Sequence, residues 1–149
     1  MRFIEYMDVG NCNHWQNEHV VANADILRMI NQTFPVKPLD AKYFGEVAER
    51  YRFSDGSGEI GFISSITQPF CGSCTRARVS TDGKLYTCLF ATNGTDLRTP
   101  LRNGASDEEI TKIIRNVWTN RADKYSENRG LFQSLKEKTQ KIEMFQIGG

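Results

Sequence analysis

The stretch that decides the fold is Cys71-Gly-Ser-Cys74-Thr-Arg-Ala-Arg-Val-Ser-Thr-Asp-Gly-Lys-Leu-Tyr-Thr-Cys88. It holds three of the chain's four cysteines, and the first two have the spacing with which neighbouring thiolates bind one metal, on a bend that Gly72 is expected to make flexible. Residues 76–80 and 84–88 predict two short strands joined by a turn, with Gly83 where a positive φ is needed. A hairpin of that length returns the third cysteine to the first two. The stretch therefore predicts a three-thiolate site.

Three thiolates with two arginines beside them indicate a particular chemistry. A structural zinc site has four closed ligands, and an electron-transfer cubane cluster is held by four cysteines. Three cysteines would leave one iron of such a cluster free to bind a substrate nitrogen or oxygen. Strand alternation would place Arg76 and Arg78 on one face, where guanidinium groups bind phosphate or carboxylate through two contacts. The pattern favours an anionic ligand held by a metal at one end and by arginines at the other.

Other interpretations of the cysteines stay open on spacing alone. A CxxC pair in an intracellular protein is also typical of a redox pair or of half a zinc site, to which Cys12 would add a fourth ligand. Four cysteines in 149 residues are too few for a secreted disulfide scaffold. Arg76 and Arg78 would be ordinary exposed strand residues without the cysteines beside them. The roles of Cys12, His14 and His19, all in a polar loop over residues 8–22, stay open too.

Composition excludes several classes of function. A net charge of +1 gives no electrostatic reason for binding nucleic acid or a membrane surface. No apolar run approaches the roughly 20 residues that a membrane-spanning helix needs. The first residues lack the basic-then-apolar pattern of a signal peptide. A reducing, cytoplasmic location is expected, and it suits thiolate ligands.

The rest of the chain predicts a mixed α/β (α+β) fold. A strand over residues 3–7 starts almost at the first residue, and an edge strand without a partner indicates missing neighbours. Asn23 is predicted to cap a helix from Ala24 to Thr33. Prolines then introduce an extended linker over residues 37–42, and we expect a domain boundary near residue 40. The helix has an apolar stripe expected to face the core: Ile26, Leu27, Met29, Ile30 and Phe34.

Residues 46–53 and 59–66 are predicted to be the two strands of a second hairpin. Together with the cysteine hairpin, it is expected to make a small antiparallel sheet. Residues 93–104 predict a polar turn region. Ser106 and Glu109 predict a capping box that opens a helix to about residue 120. The tail from Tyr125 is charged and weakly periodic, as a frayed terminus is. The apolar face of the capped helix is expected to pack on the sheet: Ile110, Ile113, Ile114, Val117 and Trp118.

Two segments together resemble one enzyme family. Thr67-Gln-Pro-Phe-Cys71-Gly-Ser-Cys74-Thr-Arg-Ala-Arg78 and Asp82-Gly-Lys-Leu-Tyr-Thr-Cys88-Leu-Phe-Ala are similar to the GTP 3′,8-cyclases, the radical-SAM enzymes that open molybdenum cofactor biosynthesis. The likeness extends from Arg2-Phe-Ile-Glu-Tyr-Met-Asp-Val-Gly10 to the terminal diglycine. The chain has no CxxxCxxC triplet for the cluster that cleaves SAM. The resemblance therefore covers only the C-terminal part of that enzyme.

The resemblance implies a fold and a set of site residues. Residues 1–40 would be the last strands of a partial radical-SAM (β/α) barrel. Residues 41–149 would be a C-terminal domain with a small antiparallel sheet and helices around an iron–sulfur site. By the resemblance, Cys71, Cys74 and Cys88 would hold a second [4Fe–4S] cluster, and its iron without a protein ligand would bind guanine. Arg76, Ala77 and Arg78 would bind GTP, and Met7 would contact SAM. Arg2 would face the reacting centre, and Gly148 and Gly149 would reach into the active site.

The resemblance also implies an activity. The parent enzyme converts GTP by radical chemistry to 3′,8-cyclo-7,8-dihydro-GTP, which cyclic pyranopterin monophosphate synthase takes further. SAM would be bound mainly by the part that this chain lacks, so this chain alone is expected to be inactive. An exposed barrel strand favours aggregation or homodimerisation. The alternative is a non-enzymatic zinc or iron–sulfur module with a structural or nucleotide-binding role.

Overall fold

The computed structural model describes residues 1–134 and 141–147, which form two compact units. The first unit combines Met1–Asp8 with Trp15–Thr75. The second combines Val9–His14 with the chain from Arg76 onward. Each unit carries one small sheet and a few helices, which confirms the mixed α+β class. The barrel origin of the first unit and the domain boundary near residue 40 stay predictions.

The first unit is built on a four-stranded sheet with the strand order β1-β4-β3-β2. β1 runs parallel to β4, and the other neighbours are antiparallel. One long helix, α1, lies between β1 and β2 in the chain. The strands and the helix are β1 (Arg2–Ile4), α1 (Asn23–Thr33), β2 (Val36–Leu39), β3 (Glu49–Phe53) and β4 (Glu59–Ile63), with 3-10 turns at Asn17–His19 and Cys71–Ser73.

The core of this sheet is aromatic. Phe62 of β4 is 2% exposed, stacks on Phe3 with ring centroids 5.2 Å apart, and meets the ring of Tyr51 edge-on at 5.7 Å. Such pairs add about 0.5–1.5 kcal/mol beyond the area they bury. The predicted hairpin over residues 46–66 is confirmed, with shorter strands than the pattern indicated. The prediction that it forms one sheet with the cysteine hairpin is wrong, because the two hairpins belong to different sheets.

The predictions for the cap of α1 and for the linker after it are wrong. Asn23 is the first residue of α1 rather than its cap, because its side-chain amide donates to Ser64 Oγ (3.1 Å) instead of facing the helix end. The predicted linker over residues 37–42 contains β2, which pairs with β3. Pro38 fits there because β2 is an edge strand, where a missing N–H removes no ladder bond.

The apolar stripe of α1 is only partly covered. Ile26, Leu27 and Ile30 are half-buried in the described structure. Met29 and Phe34 are 68% and 60% exposed, so the prediction that they face the core is wrong for this chain. The helix is amphipathic, and its apolar face is buried at Ile26, Leu27 and Ile30 more than at Met29 and Phe34.

The second unit is built on a three-stranded antiparallel sheet with the order β5-β6-β7. The predicted cysteine hairpin is confirmed in shorter form: Ser80 N–H donates to Lys84 O at 2.9 Å, and Gly83 turns the chain with φ +81°. The elements are β5 (Arg78–Val79), β6 (Lys84–Tyr86), β7 (Thr95–Asp96), α2 (Arg98–Arg102), α3 (Asp107–Thr119) and α4 (Arg129–Ser134), with a 3-10 turn at Met144–Gln146.

The region over residues 93–104 is more ordered than its polar composition indicated. It contains β7 and α2, so the prediction of a turn region is wrong. Leu97, 6% exposed, anchors the segment, and its N–H donates to Gly83 O at 2.9 Å. The buried Leu97, its backbone bond to Gly83 and the pairing of β7 with β6 order a stretch that has no local periodicity.

The capping box of α3 is confirmed. Ser106 Oγ accepts the Glu109 N–H at 3.3 Å, and Glu109 Oε2 accepts the Ser106 N–H at 2.8 Å. The predicted apolar face of α3 is its half-buried face, and its packing on the sheet stays a prediction. No helix among residues 1–134 and 141–147 is long and apolar enough to cross a membrane.

Candidate metal and nucleotide site

The loop that leads to Cys71 and Cys74 is held at its start by one buried carboxylate. Glu5, 2% exposed, follows β1 and accepts the N–H groups of Ile66 (2.8 Å) and Thr67 (2.9 Å). It also accepts the Thr67 hydroxyl at 2.6 Å and the Asn23 N–H at 3.0 Å. One side chain thereby joins the end of β1, the start of α1 and the approach to the cysteine pair.

The same contacts fix the charge of Glu5. Burial by itself would raise the pKa of this carboxyl, but the Thr67 hydroxyl and the N–H groups of Asn23, Thr67 and Ile66 outweigh it, so the pKa lies below the usual 4.5. Glu5 is therefore ionised at neutral pH, and its hydrogen bonds are charge-assisted.

The Cys71–Cys74 turn is tight, and a glycine outside the CxxC motif, Gly45, leaves the space that the turn occupies. Cys71–Ser73 is a 3-10 turn in which Cys74 N–H donates to Cys71 O at 3.3 Å. Gly45, with φ +80°, lies against this turn, because a Cβ there would be 2.9 Å from Ser73 O and 2.9 Å from Thr75 Oγ1. Gly72, inside the turn, has open space and no positive φ. The close packing of Gly45 against Ser73 and Thr75 therefore shapes the turn. The sequence had instead suggested that Gly72 makes the turn flexible.

The loop that carries Gly45 is fixed by a buried ion pair. Arg50 Nε lies 2.8 Å from Glu46 Oε1, and their side chains are only 9% and 7% exposed. Arg50 Nη2 also donates to Asp40 O at 2.7 Å. The Lys42 N–H and then Arg50 hold the pKa of the Glu46 carboxyl below its usual value. The pair ties both ends of the Gly45 loop to β3.

Cys88 follows β6 in the second unit. The Phe90 N–H donates to its sulfur at 3.4 Å, and the Ala91 N–H donates to its carbonyl at 3.3 Å. An N–H directed at sulfur stabilises a thiolate, and such bonds tune cysteine-ligated clusters. Cys71, Cys74 and Cys88 are half-buried and none forms a disulfide. The donor chemistry thus fits an iron–sulfur cluster or zinc.

The GTP-binding residues implied by the resemblance lie at the start of the second sheet. Arg78 is the first residue of β5 and pairs with Tyr86 of β6. Arg76 and Ala77 precede the strand and are exposed. The shared face of the two arginines was predicted from strand alternation. Because β5 begins at Arg78, that shared face stays a prediction.

The remaining implied residues fall in different places. Arg2 is an exposed residue of β1 whose side chain packs over Gly61, and Met7 is half-buried after the strand. Gly148 and Gly149 lie outside the described residues. Cys71 and Cys74 belong to the first unit and Cys88 to the second. Within residues 1–134 and 141–147, no three His, Cys, Asp or Glu side chains form a metal-binding group.

The residues that support the cysteine turn were missed by the sequence interpretation. Glu5 is a lone acid in an apolar stretch, which is the one local signal that a buried polar network exists. Gly45 and the ion pair of Glu46 with Arg50 give no such signal, because an i,i+4 pair is common on exposed surfaces. Their importance comes from packing against a loop about 30 residues away in sequence.

These features define a class of protein: a mixed α/β protein with a CxxC turn, a third cysteine whose sulfur accepts an N–H, and two arginines shortly after the CxxC in sequence. A model of the family described as Molybdenum Cofactor Synthesis C matches residues 1–127, so the chain belongs to that family.

Three relatives that are similar to this chain are each named GTP 3′,8-cyclase. The GTP 3′,8-cyclase of Xanthomonas campestris pv. campestris (strain B100) is 51% identical over 149 residues, covering 100% of this chain and 42% of the relative. That of Staphylococcus aureus (strain bovine RF122 / ET3-1) is 46% identical, over 100% of this chain and 44% of its own length. That of Acidothermus cellulolyticus is 50% identical over 88% of this chain and 37% of the relative. The chain thus spans less than half the length of these relatives.

Proposed function

We propose that this chain supplies the C-terminal part of a GTP 3′,8-cyclase in molybdenum cofactor biosynthesis. Cys71, Cys74 and Cys88 hold a second [4Fe–4S] cluster, and Arg76, Ala77 and Arg78 hold GTP. The product, 3′,8-cyclo-7,8-dihydro-GTP, passes to cyclic pyranopterin monophosphate synthase. Free thiols suit a reducing compartment, so the location is the cytoplasm. The 149 residues alone are inactive, because SAM is bound mainly by residues outside this chain.

The observation that carries the proposal is the state of the cysteines. None of the three forms a disulfide, all are half-buried, and the sulfur of Cys88 accepts the Phe90 N–H. Tight support of the Cys71–Cys74 turn by Gly45 gives two of the donors a fixed backbone. A cluster held by three cysteines supplies an open iron for the guanine base. The names of the relatives point to GTP as the substrate.

The arginines and the remaining residues serve to position GTP. A carbon radical is unselective, so one C–H bond must be held near the reacting centre and the others kept away. Guanidinium groups of Arg76 and Arg78 hold the triphosphate, each charge-assisted contact contributing about 1.5–3 kcal/mol. Arg2 and the diglycine, Gly148 and Gly149, complete the reacting end, and Met7 contacts SAM.

Metal analysis tests the cluster assignment. After anaerobic reconstitution, the wild-type chain should contain about four iron and four sulfide and show visible absorbance. Cys88→Ser should lose most of the iron, whereas Cys12→Ser should retain it. One zinc per chain and no iron would instead support the structural module. Iron loss in Cys12→Ser would identify that cysteine as a closing fourth ligand and overturn substrate ligation.

A GTP titration tests the arginine assignment. Arg78→Ala should weaken GTP binding by roughly tenfold to a hundredfold, the loss expected for one charge-assisted contact, with iron content unchanged. Arg115→Ala is the matched control, because Arg115 is an exposed arginine of α3 in the same unit. Equal GTP affinity in wild type and Arg78→Ala would contradict the role.

A further inference from the structure

Within the second unit, Asn11 is paired with the backbone of Lys141. Asn11 Nδ2 donates to Lys141 O at 2.8 Å, and Lys141 N–H donates to Asn11 Oδ1 at 3.0 Å. The side-chain amide therefore satisfies both backbone groups of one residue, as a neighbouring strand would. This pairing joins residues that are 130 positions apart in sequence.

Glu143 adds a second, charged set of contacts. Its Oε1 accepts the backbone N–H of Asn11 at 2.9 Å and the Asn11 side-chain amide at 2.7 Å. Cys12 Sγ lies 3.9 Å from the same oxygen. Both N–H bonds are charge-assisted and converge on one carboxylate oxygen, so the side-chain rotamer of Glu143 is set by Asn11.

Gly10 makes room for this carboxylate. The residue is buried with φ +65°, and a Cβ there would clash with Glu143 Oε2. A side chain at position 10 would be strained at that φ and would displace the Glu143 carboxylate. Gly10 and Asn11 thus act on Glu143 from two sides.

The segment beyond Glu143 is held as well. Ile142 N–H donates to Ala91 O at 3.0 Å, and Ile147 is only 4% exposed. Composition predicted a frayed terminus, whereas residues 141–147 make specific contacts. Gly148 comes five residues after Glu143 in the sequence.

We infer that Asn11, with Gly10 and Glu143, is a clamp that positions the C-terminal segment leading to Gly148 and Gly149. Asn11 is a positioning residue, since it acts through the backbone of residues 141–143. Asn11 lies four residues after Met7, the residue proposed to contact SAM. The loop that follows Met7 therefore also positions the C-terminal segment. The consequence for the diglycine rests on the proposed function, and the clamp itself does not.

Residue-resolved amide exchange on the full chain tests the clamp. In Asn11→Ala, exchange of the Lys141 and Ile142 N–H groups should rise about tenfold or more, because the pair of bonds that resists opening is gone. Exchange of the Ser80 N–H in the cysteine hairpin should not change. Asn103→Ala is the matched control, an exposed asparagine of the same unit without a contact to the segment. Unchanged Lys141 exchange in Asn11→Ala, or an equal rise in the control, would overturn the clamp.

A rescue experiment separates direct pairing from a general loss of structure. Asn11→Asp keeps an acceptor for the Lys141 N–H but places a second carboxylate against Glu143, so Lys141 should exchange faster than in Asn11→Ala. Adding Glu143→Gln supplies an amide that donates to the new aspartate and should slow the exchange again. Equal exchange of the Lys141 N–H in Asn11→Asp and in Asn11→Asp with Glu143→Gln would overturn direct pairing. This comparison decides the question even where Asn11→Ala fails to fold.

The outcomes distinguish the two hypotheses. Faster Lys141 exchange in Asn11→Ala, in a chain that binds neither iron nor GTP, supports the clamp and contradicts the proposed function. Iron and GTP binding together with unchanged Lys141 exchange supports the proposed function and overturns the clamp.

Discussion

Glu5 is a single side chain on which three separate stretches of backbone depend. We expect Glu5→Gln to lower the free energy of unfolding by about 1.5–3 kcal/mol, because an amide NH₂ would confront the N–H donors that the carboxylate now accepts. Glu18→Gln, an exposed change in the same unit, should have almost no effect. Urea unfolding of the three proteins at pH 7 measures the difference.

The same residue predicts a dependence on acid. The folded pKa of Glu5 lies below the value of 4.5 expected for the unfolded chain, so its contribution is fully present above about pH 4.5. It is lost as the pH falls through the folded pKa. The stability difference between wild type and Glu5→Gln should therefore shrink on acidification. A difference that stays constant from pH 7 to pH 3 would contradict this account.

Single residues also show what sequence chemistry can and cannot reveal. Cys71, Cys74 and Cys88 were predicted as ligands from residue type and from the CxxC spacing of the first two, and their role as ligands stays a prediction. Asn11 could not be identified, because its importance lies in bonds to Lys141, 130 positions away. The sequence around an asparagine in a polar loop does not indicate which distant residue its side chain contacts.

At the level of turns, Gly45 is expected to control the Cys71–Cys74 loop. Gly45→Ala adds a Cβ 2.9 Å from the backbone oxygen of Ser73 at a positive φ, so the turn must move. We expect a loss of roughly 2 kcal/mol or more in stability and faster alkylation of the two thiols. Gly72→Ala, inside the motif but in open space, is the control.

Thiol alkylation followed by mass spectrometry, with iron content after reconstitution, measures the effect. The result would count against the account if Gly72→Ala disturbed the thiols more than Gly45→Ala did. In that case flexibility within the CxxC turn, as inferred from sequence, would be the controlling factor.

Gly83, in the turn of the cysteine hairpin, and Gly104, after α2, are a matched pair of glycines. Gly83 and Gly104 both have φ +81°, but a Cβ at Gly83 would lie 2.7 Å from Arg98 Cβ, whereas Gly104 faces open space. Gly104→Ala should cost about 1–2 kcal/mol from backbone strain alone. Gly83→Ala should cost roughly 2–4 kcal/mol, because overpacking adds to that strain. Chemical denaturation gives both values, and equal losses would show that the Arg98 contact is unimportant.

Elements were predictable where the signal was local. The capping box of Ser106 with Glu109 needs only four consecutive residues, and the pattern located α3 to within one residue at each end. β2 and α2 were missed because their order comes from partners elsewhere: β3 for the first, and the Leu97 contact to Gly83 for the second. Proline and polar composition indicated loops there, and tertiary contacts overrode the local preference.

For the chain as a whole, the division of the cysteines between two compact units limits what sequence could predict. Hairpin length suggested that Cys88 returns to the CxxC pair, but Cys71 and Cys74 belong to one unit and Cys88 to the other. Local turn geometry cannot set the relation between units. The three cysteines as ligands, and their assembly around one metal centre, therefore both stay part of the proposal.

The last prediction concerns activity. The purified 149-residue chain should form no 5′-deoxyadenosine from SAM and dithionite, because it has no CxxxCxxC motif. Joining it to the N-terminal part of the Xanthomonas campestris cyclase, which lies outside the 149 residues shared at 51% identity, should restore GTP-dependent conversion. The same fusion with Cys71→Ser and Cys74→Ser should still cleave SAM but should not form the cyclised nucleotide. If that double variant cyclised GTP as well as the parent fusion, the cysteines would serve stability alone, because ligation of the substrate would then be dispensable for the reaction.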